Sequence, residues 1–279
     1  SAAEALGKIG LDAVPTLRDT LHNKDWMSRE GATNALGKIG AKEAINDLCA
    51  VLQDETRQGG REAVAEALGN IGDPAAVNEL CITLQHEIKS IRAAAARALG
   101  NIGDPAAVAK LRPLLQDKDN DVREAAAGAL GKIGDPAIMD DLADALKDEN
   151  RVMQKTAAEA LAAIRTPAAV DALVDVLIIA LQDEDWRMQG VVTEALRKMG
   201  STAVPALIAV LRGENNDARW AVGKALGGIR DPTAVQNLVI ALRDENSDVR
   251  HIAMETLESI GPIAVPALIT VMQDENVVA

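Results

Sequence analysis

The hexapeptide Ala-Leu-Gly-x-Ile-Gly recurs along this chain and leaves little choice of fold. Full copies begin at Ala5, Ala35, Ala67, Ala98 and Ala129, and weaker copies at Ala160, Ala195, Ala225 and Thr256. The spacings are 30, 32, 31, 31, 31, 35, 30 and 31 residues. A fixed period of this length across essentially all of a 279-residue chain is the mark of stacked structural repeats.

One unit, Asp104 to Gly134, shows what is repeated. Asp104 suits a helix N-cap and Pro105 the first helical position, where no N–H is needed. Val108, Leu111, Leu114 and Leu115 follow at helical spacing. The polar run Asp117 to Asn120 reads as a turn. A second helix then carries Val122, Ala126, Leu130 and Ile133 on one face, and Gly134 ends it. The unit is thus helix A, turn, helix B, turn. Neither helix can bury its apolar stripe alone, so neighbouring units must stack. The expected fold is all-α: a right-handed α-solenoid of about nine 31-residue helix pairs. It forms a single domain over 1–279 that starts and ends in mid-repeat. The glycine inside helix B, as in Leu99-Gly100 and Leu130-Gly131, costs about 1 kcal/mol against alanine. A glycine kept at a repeated helical position predicts close backbone approach to the next helix.

The Gly-Asp-Pro-Ala-Ala-Val starts (Gly72 to Val77, Gly103 to Val108), the Val-Arg pairs (Val122-Arg123, Val249-Arg250) and the Ala-Leu-Gly-x-Ile-Gly ends carry a resemblance. The chain resembles the HEAT-like repeats of the phycobilisome-lyase type. The resemblance implies the α-solenoid. It also implies one enzymatic alternative: a bilin lyase or lyase subunit, which would need an open-chain tetrapyrrole and a cysteine on a phycobiliprotein.

Six residues before the anchors stand Arg29, Arg61, Arg92, Arg123, Arg219 and Arg250. One arginine per repeat predicts a row along the solenoid, paired with turn carboxylates such as Asp54, Asp117, Asp148, Asp183 and Asp244. The row breaks at Gln154 and Gln189. Nearby, Arg165 replaces the glycine that ends helix B, while Ala162 and Arg197 replace the glycine inside it. Helix A near Val170 to Leu181 is about one turn longer. Residues 150–200 therefore form an irregular region, read as a change of curvature or a hinge.

B helices are expected to line a concave face through the positions three and two before the ladder arginine and one, two and five after it. All three tryptophans fall there: Trp26, Trp186 and Trp220. Phe and Tyr are absent, so this placement marks a binding surface, because Trp is enriched at interface hot spots. The expected site is Trp186 and Trp220 with Arg187 and Lys224, and Trp26 stands apart. Acidic residues such as Glu62, Glu66, Glu159 and Glu255 outnumber bases on these positions. The expected partner is a protein or peptide with a basic or amphipathic surface, with end-to-end self-association through open solenoid ends as a further possibility.

The formal net charge of −13 argues against tracking nucleic-acid phosphates and against anionic membranes. Helical-repeat DNA handling is accordingly a distant alternative. The three histidines lie in separate repeats. His86-Glu87 is the one His-Glu pair, and His86 stands where neighbouring repeats place a turn aspartate. Helical-repeat hydroxylases of the deoxyhypusine type carry several such pairs, so no metal site, no catalytic residue and no cofactor is expected. Cys49 and Cys81 occupy equivalent positions in successive repeats, too far apart for a disulfide. They are expected as free thiols, which suggests a cytoplasmic protein.

Overall fold

The computed structural model describes residues 10–23, 25–54, 60–213 and 216–273, so the first anchor, at Ala5, lies outside the described residues. Every regular element in them is helical. The A helices are α1 (Val14–Thr20), α3 (Ile45–Gln53), α5 (Val77–Thr83), α7 (Val108–Leu111), α9 (Met139–Ala145), α11 (Pro167–Gln182), α13 (Val204–Leu211), α15 (Pro232–Ala241) and α17 (Val265–Gln273). The B helices alternate with them: α2 (Trp26–Ile39), α4 (Arg61–Ile71), α6 (Lys89–Ile102), α8 (Asn120–Ile133), α10 (Arg151–Ile164), α12 (Trp186–Met199), α14 (Asn216–Ile229) and α16 (Ser247–Ile260). The chain divides into two units, Ser1–Ala160 and Leu161–Ala279.

Local chemistry sets the helix ends. Asp73, Asp104 and Asp135 each accept a backbone N–H two residues on and open a short 3-10 turn at the following proline, and this turn leads into helix A. In the sequence reading these residues started the α-helix itself. In α7 the α-helix stops at Leu111 and continues as 3-10 turn through Pro113, which has no N–H to offer. Gly40, Gly72, Gly103 and Gly134 end the B helices at φ of 71–74°. Arg165 and Arg230 hold the same left-handed position at φ 54° and 53°. A side chain there costs about 1 kcal/mol that glycine avoids. Helix α11 runs for 16 residues, the extra turn expected from the sequence.

Leucines and alanines fill the core. Leu36, Leu68, Leu99, Leu130 and Leu161 of the anchors are fully buried, as are Leu48, Leu80, Leu111 and Leu142 of the A helices. In the first unit the helix-B glycines explain how closely the layers stack. A Cβ on Gly37, Gly69, Gly100 or Gly131 would lie 2.8, 2.7, 2.5 or 2.6 Å from the Cα of Ala67, Ala98, Ala129 or Ala160. The glycine of each anchor thus seats the alanine of the next. The second unit uses another register. Gly223 faces Ile252, Gly227 faces Ser259, and Gly228 makes room for the side chain of Arg197, which stands where the first unit has glycine.

The sequence is expected to hold no apolar run of membrane-spanning length, but residues 247–270 are long and apolar enough, by composition alone, to cross a membrane. The backbone turns at Gly261 (φ 75°), so this stretch forms α16 and much of α17, a helix pair like the others.

Two glycine substitutions with opposite signs test this packing. Gly100→Ala should lower stability by roughly 2 kcal/mol despite its better helix propensity, because backbone must move. Gly190→Ala in α12, with nothing within 4 Å of the new Cβ, should raise it by about 1 kcal/mol. Chemical denaturation of both variants checks the pair.

Candidate functional site

The ladder arginines do two jobs. Each ties its own turn to helix B by donating to a turn carbonyl: Arg29 to Asn23, Arg61 to Asp54, Arg123 to Asp117, Arg219 to Gly213 and Arg250 to Asp244, at 2.7–3.0 Å. Arg92 donates to both His86 and Glu87 carbonyls. The second job links neighbouring repeats. Arg92 forks onto Asp117 at 2.9 and 2.9 Å, and Arg123 onto Asp148 at 3.0 and 3.1 Å. Gln154 keeps the first job through the turn carbonyl of Asp148, whereas Gln189 donates to Ala180, inside the last turns of α11. A glutamine amide is shorter and uncharged, so a tie to the preceding helix A or its turn survives where the arginine is missing.

Two expected ladder carboxylates are corrected. Arg219 turns to Asp248, in the first turn of α16, at 3.5 Å rather than to Asp244. Asp244 instead accepts the N–H of Asn246. Asp183 is exposed just beyond the lengthened α11, and the ladder position of the repeat before it is held by Gln154 in place of arginine.

Burial pushes the carboxyls of Asp117 and Asp148 up, but the guanidinium and a backbone N–H outweigh it and hold both below the ordinary aspartate range. Their stabilising contribution is therefore present above the unfolded value near 3.9 and is lost as pH falls through the lower folded value. Arg123→Ala should cost about 2 kcal/mol near neutral pH, shrinking towards the acid limb. Lys89→Ala, which breaks an exposed pair with Asp119, should cost under about 1 kcal/mol. Denaturation midpoints across acidic pH distinguish the two.

The B-helix surface positions carry the three tryptophans, which are 59% (Trp26), 73% (Trp186) and 46% (Trp220) exposed. The position two after the ladder residue is a correction. Ala94, Ala125, Ala221 and Ile252 are buried there, because that position turns towards the preceding B helix, as Ile252 does against Gly223. In the second unit the Arg187 guanidinium lies 5.7 Å from the Trp186 ring centroid, and the Lys224 ammonium 3.5 Å from that of Trp220. Both fall within the range of cation–π attraction. A cleft of about 250 Å³ opens beside Trp220, between α14 and α16, lined by Gly223, Lys224, Ile252, Glu255, Thr256 and Ser259. The missing side chain at Gly223 helps to form it. Trp26 belongs to the first unit.

Sequence reasoning missed two grooves. One, of about 390 Å³, crosses α6, α8 and α10 over Ala93, Ala125 and Gly128, with Arg97, Glu124 and Lys132 beside it. The other, of about 810 Å³, lies on the A-helix side of the second unit over Val239, Ile240 and Ala267. Small residues along the B helices, such as Ala93, Ala125 and Gly128, were the signal for the first. The second depends on the distance between α15 and α17, which the sequence does not encode locally.

Among the described residues no three His, Cys, Asp or Glu side chains gather as a metal site would need. Cys49 and Cys81 are unpaired and half-buried. Burial, with the charge of Glu79, pushes the Cys49 thiol up to about 11. Its alkylation should therefore keep rising about tenfold per pH unit beyond pH 9, where an ordinary thiol levels off. Peptide-resolved labelling kinetics would read this.

The stacked A and B helices, joined through glycine, alanine and the arginine row, make this chain an α-solenoid repeat protein. HEAT repeats match residues 1–68, 58–129, 109–178 and 204–278, so the chain belongs to the HEAT-repeat family. No match emerged among curated proteins. Among solved structures, it is similar to the complex of CpcE and CpcF of phycocyanin lyase from Nostoc sp. PCC7120. That likeness has 24% identity and a TM-score of 0.52, covering 93% of each chain. Importin beta shows 18% identity and a TM-score of 0.57, over 91% of this chain and 40% of that one. A Kap121p mutant shows 16% identity and a TM-score of 0.56, over 94% and 35%. At these identities the likeness is one of fold.

Proposed function

We propose that this protein is a non-enzymatic scaffold that binds another protein on the face formed by its B helices. The observation that carries this reading is the exposure of all three tryptophans on B-helix surface positions, in a chain with no Phe or Tyr. An exposed indole loses apolar surface to water unless a partner covers it, and such residues dominate interface energetics. The CpcE–CpcF neighbour, itself a complex of two proteins, supports the reading. The favoured contact is Trp186 and Trp220 with Arg187 and Lys224. The net charge of −13 favours a partner with basic or amphipathic surface.

The test is affinity capture from lysate of the source organism, followed by binding measurements with the captured partner. Trp186→Ala and Trp220→Ala should each weaken binding by roughly 30-fold, about 2 kcal/mol, with the fold intact. Lys147→Ala, at the end of an A helix, should bind as wild type. Wild-type affinity in both tryptophan variants would rule out this face. A shifted absorbance band on mixing with phycocyanobilin would instead support the bilin-lyase alternative.

A further inference from the structure

The ladder has one rung that departs from the others. His86 occupies the turn position that Asp117 and Asp148 hold in the next two repeats, 25 residues after its arginine, Arg61. The geometry there is that of an aspartate rung. Arg61 Nη1 contacts His86 Nε2 at 2.5 Å, and the Ile88 N–H points at His86 Nδ1 at 3.1 Å. The equivalent donors in the next repeat are Arg92 and the Asp119 N–H, and both are accepted by Asp117.

The two acceptors differ in capacity. A carboxylate accepts both donors at once. A neutral imidazole has one ring lone pair to offer, because its other nitrogen carries hydrogen. His86 therefore satisfies one donor in either tautomer and turns an N–H towards the other. A protonated ring carries hydrogen on both nitrogens and satisfies neither. Arg61 is confined at this contact and poorly satisfied. It is 9% exposed, it is tied to the Asp54 carbonyl at 2.7 Å, and its Nε is buried without a hydrogen-bond partner, whereas the Nε of Arg92 and of Arg123 each donate to a carboxylate.

We propose that Arg61 and His86 form a proton-sensitive latch between α4 and the turn after α5: neutral His86 with its Nε2 lone pair turned to Arg61 closes it, and protonation at Nε2 opens it. On protonation the ring lone pair that held Arg61 takes a solvent proton, and two cations then face each other. The charged groups around His86 among the described residues are Arg61 from α4, Arg92 from α6, whose guanidinium meets the His86 carbonyl, and Glu87 beside it in the turn. Burial and the Arg61 charge, opposed by Glu87, hold His86 below the ordinary histidine range. A base whose folded value is lowered contributes full stability above the unfolded value of about 6.5. That contribution is lost as pH falls from there towards the lower folded value. The latch opens as pH falls below the ordinary histidine range.

Hydrogen exchange of wild type, His86→Asp and His86→Gln at about pH 5 and about pH 7.5, corrected for intrinsic rates, tests this. In wild type, protection in the peptides around Arg61 and around His86 should fall about tenfold at the lower pH for each unit by which His86 is lowered. His86→Asp should keep its protection and melt higher at both pH values. His86→Gln should show no pH-dependent loss there. Equal loss in wild type and His86→Asp would overturn the latch. The His86 ring resonance in wild type provides a check without substitution. Its midpoint should lie below that of a peptide histidine, about 6.5, and a midpoint at or above it would overturn the proposal.

Discussion

The first unit depends on a backbone-to-backbone contact: the helix-B glycine of one repeat against the anchor alanine of the next. With no side chain at Gly37, Gly69, Gly100 and Gly131, adjacent B helices approach until a Cβ would touch the neighbouring Cα. Close approach lets small residues such as Ala94, Ala126 and Ala158 fill the interface without larger side chains. This is how a chain without Phe or Tyr builds a dense core. It also explains why the repeats tolerate glycine where alanine would make a better helix.

The arginine row is a second constraint and acts on the turns. Hydrophobic stacking alone leaves the A–B turns with carbonyls and carboxylates that need partners. A ladder arginine meets both needs, binding carbonyls of its own turn and, at Arg92 and Arg123, the carboxylate of the following one. Where glutamine takes over, at Gln154 and Gln189, the link between repeats goes and only the tie within the repeat remains. The same stretch loses the helix-B glycines. The division between the two units, at Ala160 and Leu161, falls within this stretch.

The remaining B-helix surface is free to vary because neither device uses it. The three tryptophans sit there, and in the second unit two of them are accompanied by cations. A cation over an indole restrains both side chains, so less conformational freedom is lost when a partner covers them. A scaffold whose core is so uniform can place its specificity in a few such positions.

The sequence alone determined the helix pairs, their order and their core, because 31-residue periodicity, capping aspartates, terminal glycines and buried leucines are local signals. It also located the ladder and its breaks, and the surface positions of Trp26, Trp186 and Trp220. Only the tertiary structure decided which residue each of these meets across a helix boundary. Arg219 turns to Asp248 instead of Asp244, Ala94 and Ala125 are buried rather than on the surface, and Arg197 fits because Gly228 gives it room. The turn position of His86 was legible, but its conflict with Arg61 was not. Contacts across repeats depend on the separation and rotation of neighbouring helices, and a shift of an ångström or two changes which partner is reached. No residue encodes that shift alone, because it arises when glycine and alanine backbones pack.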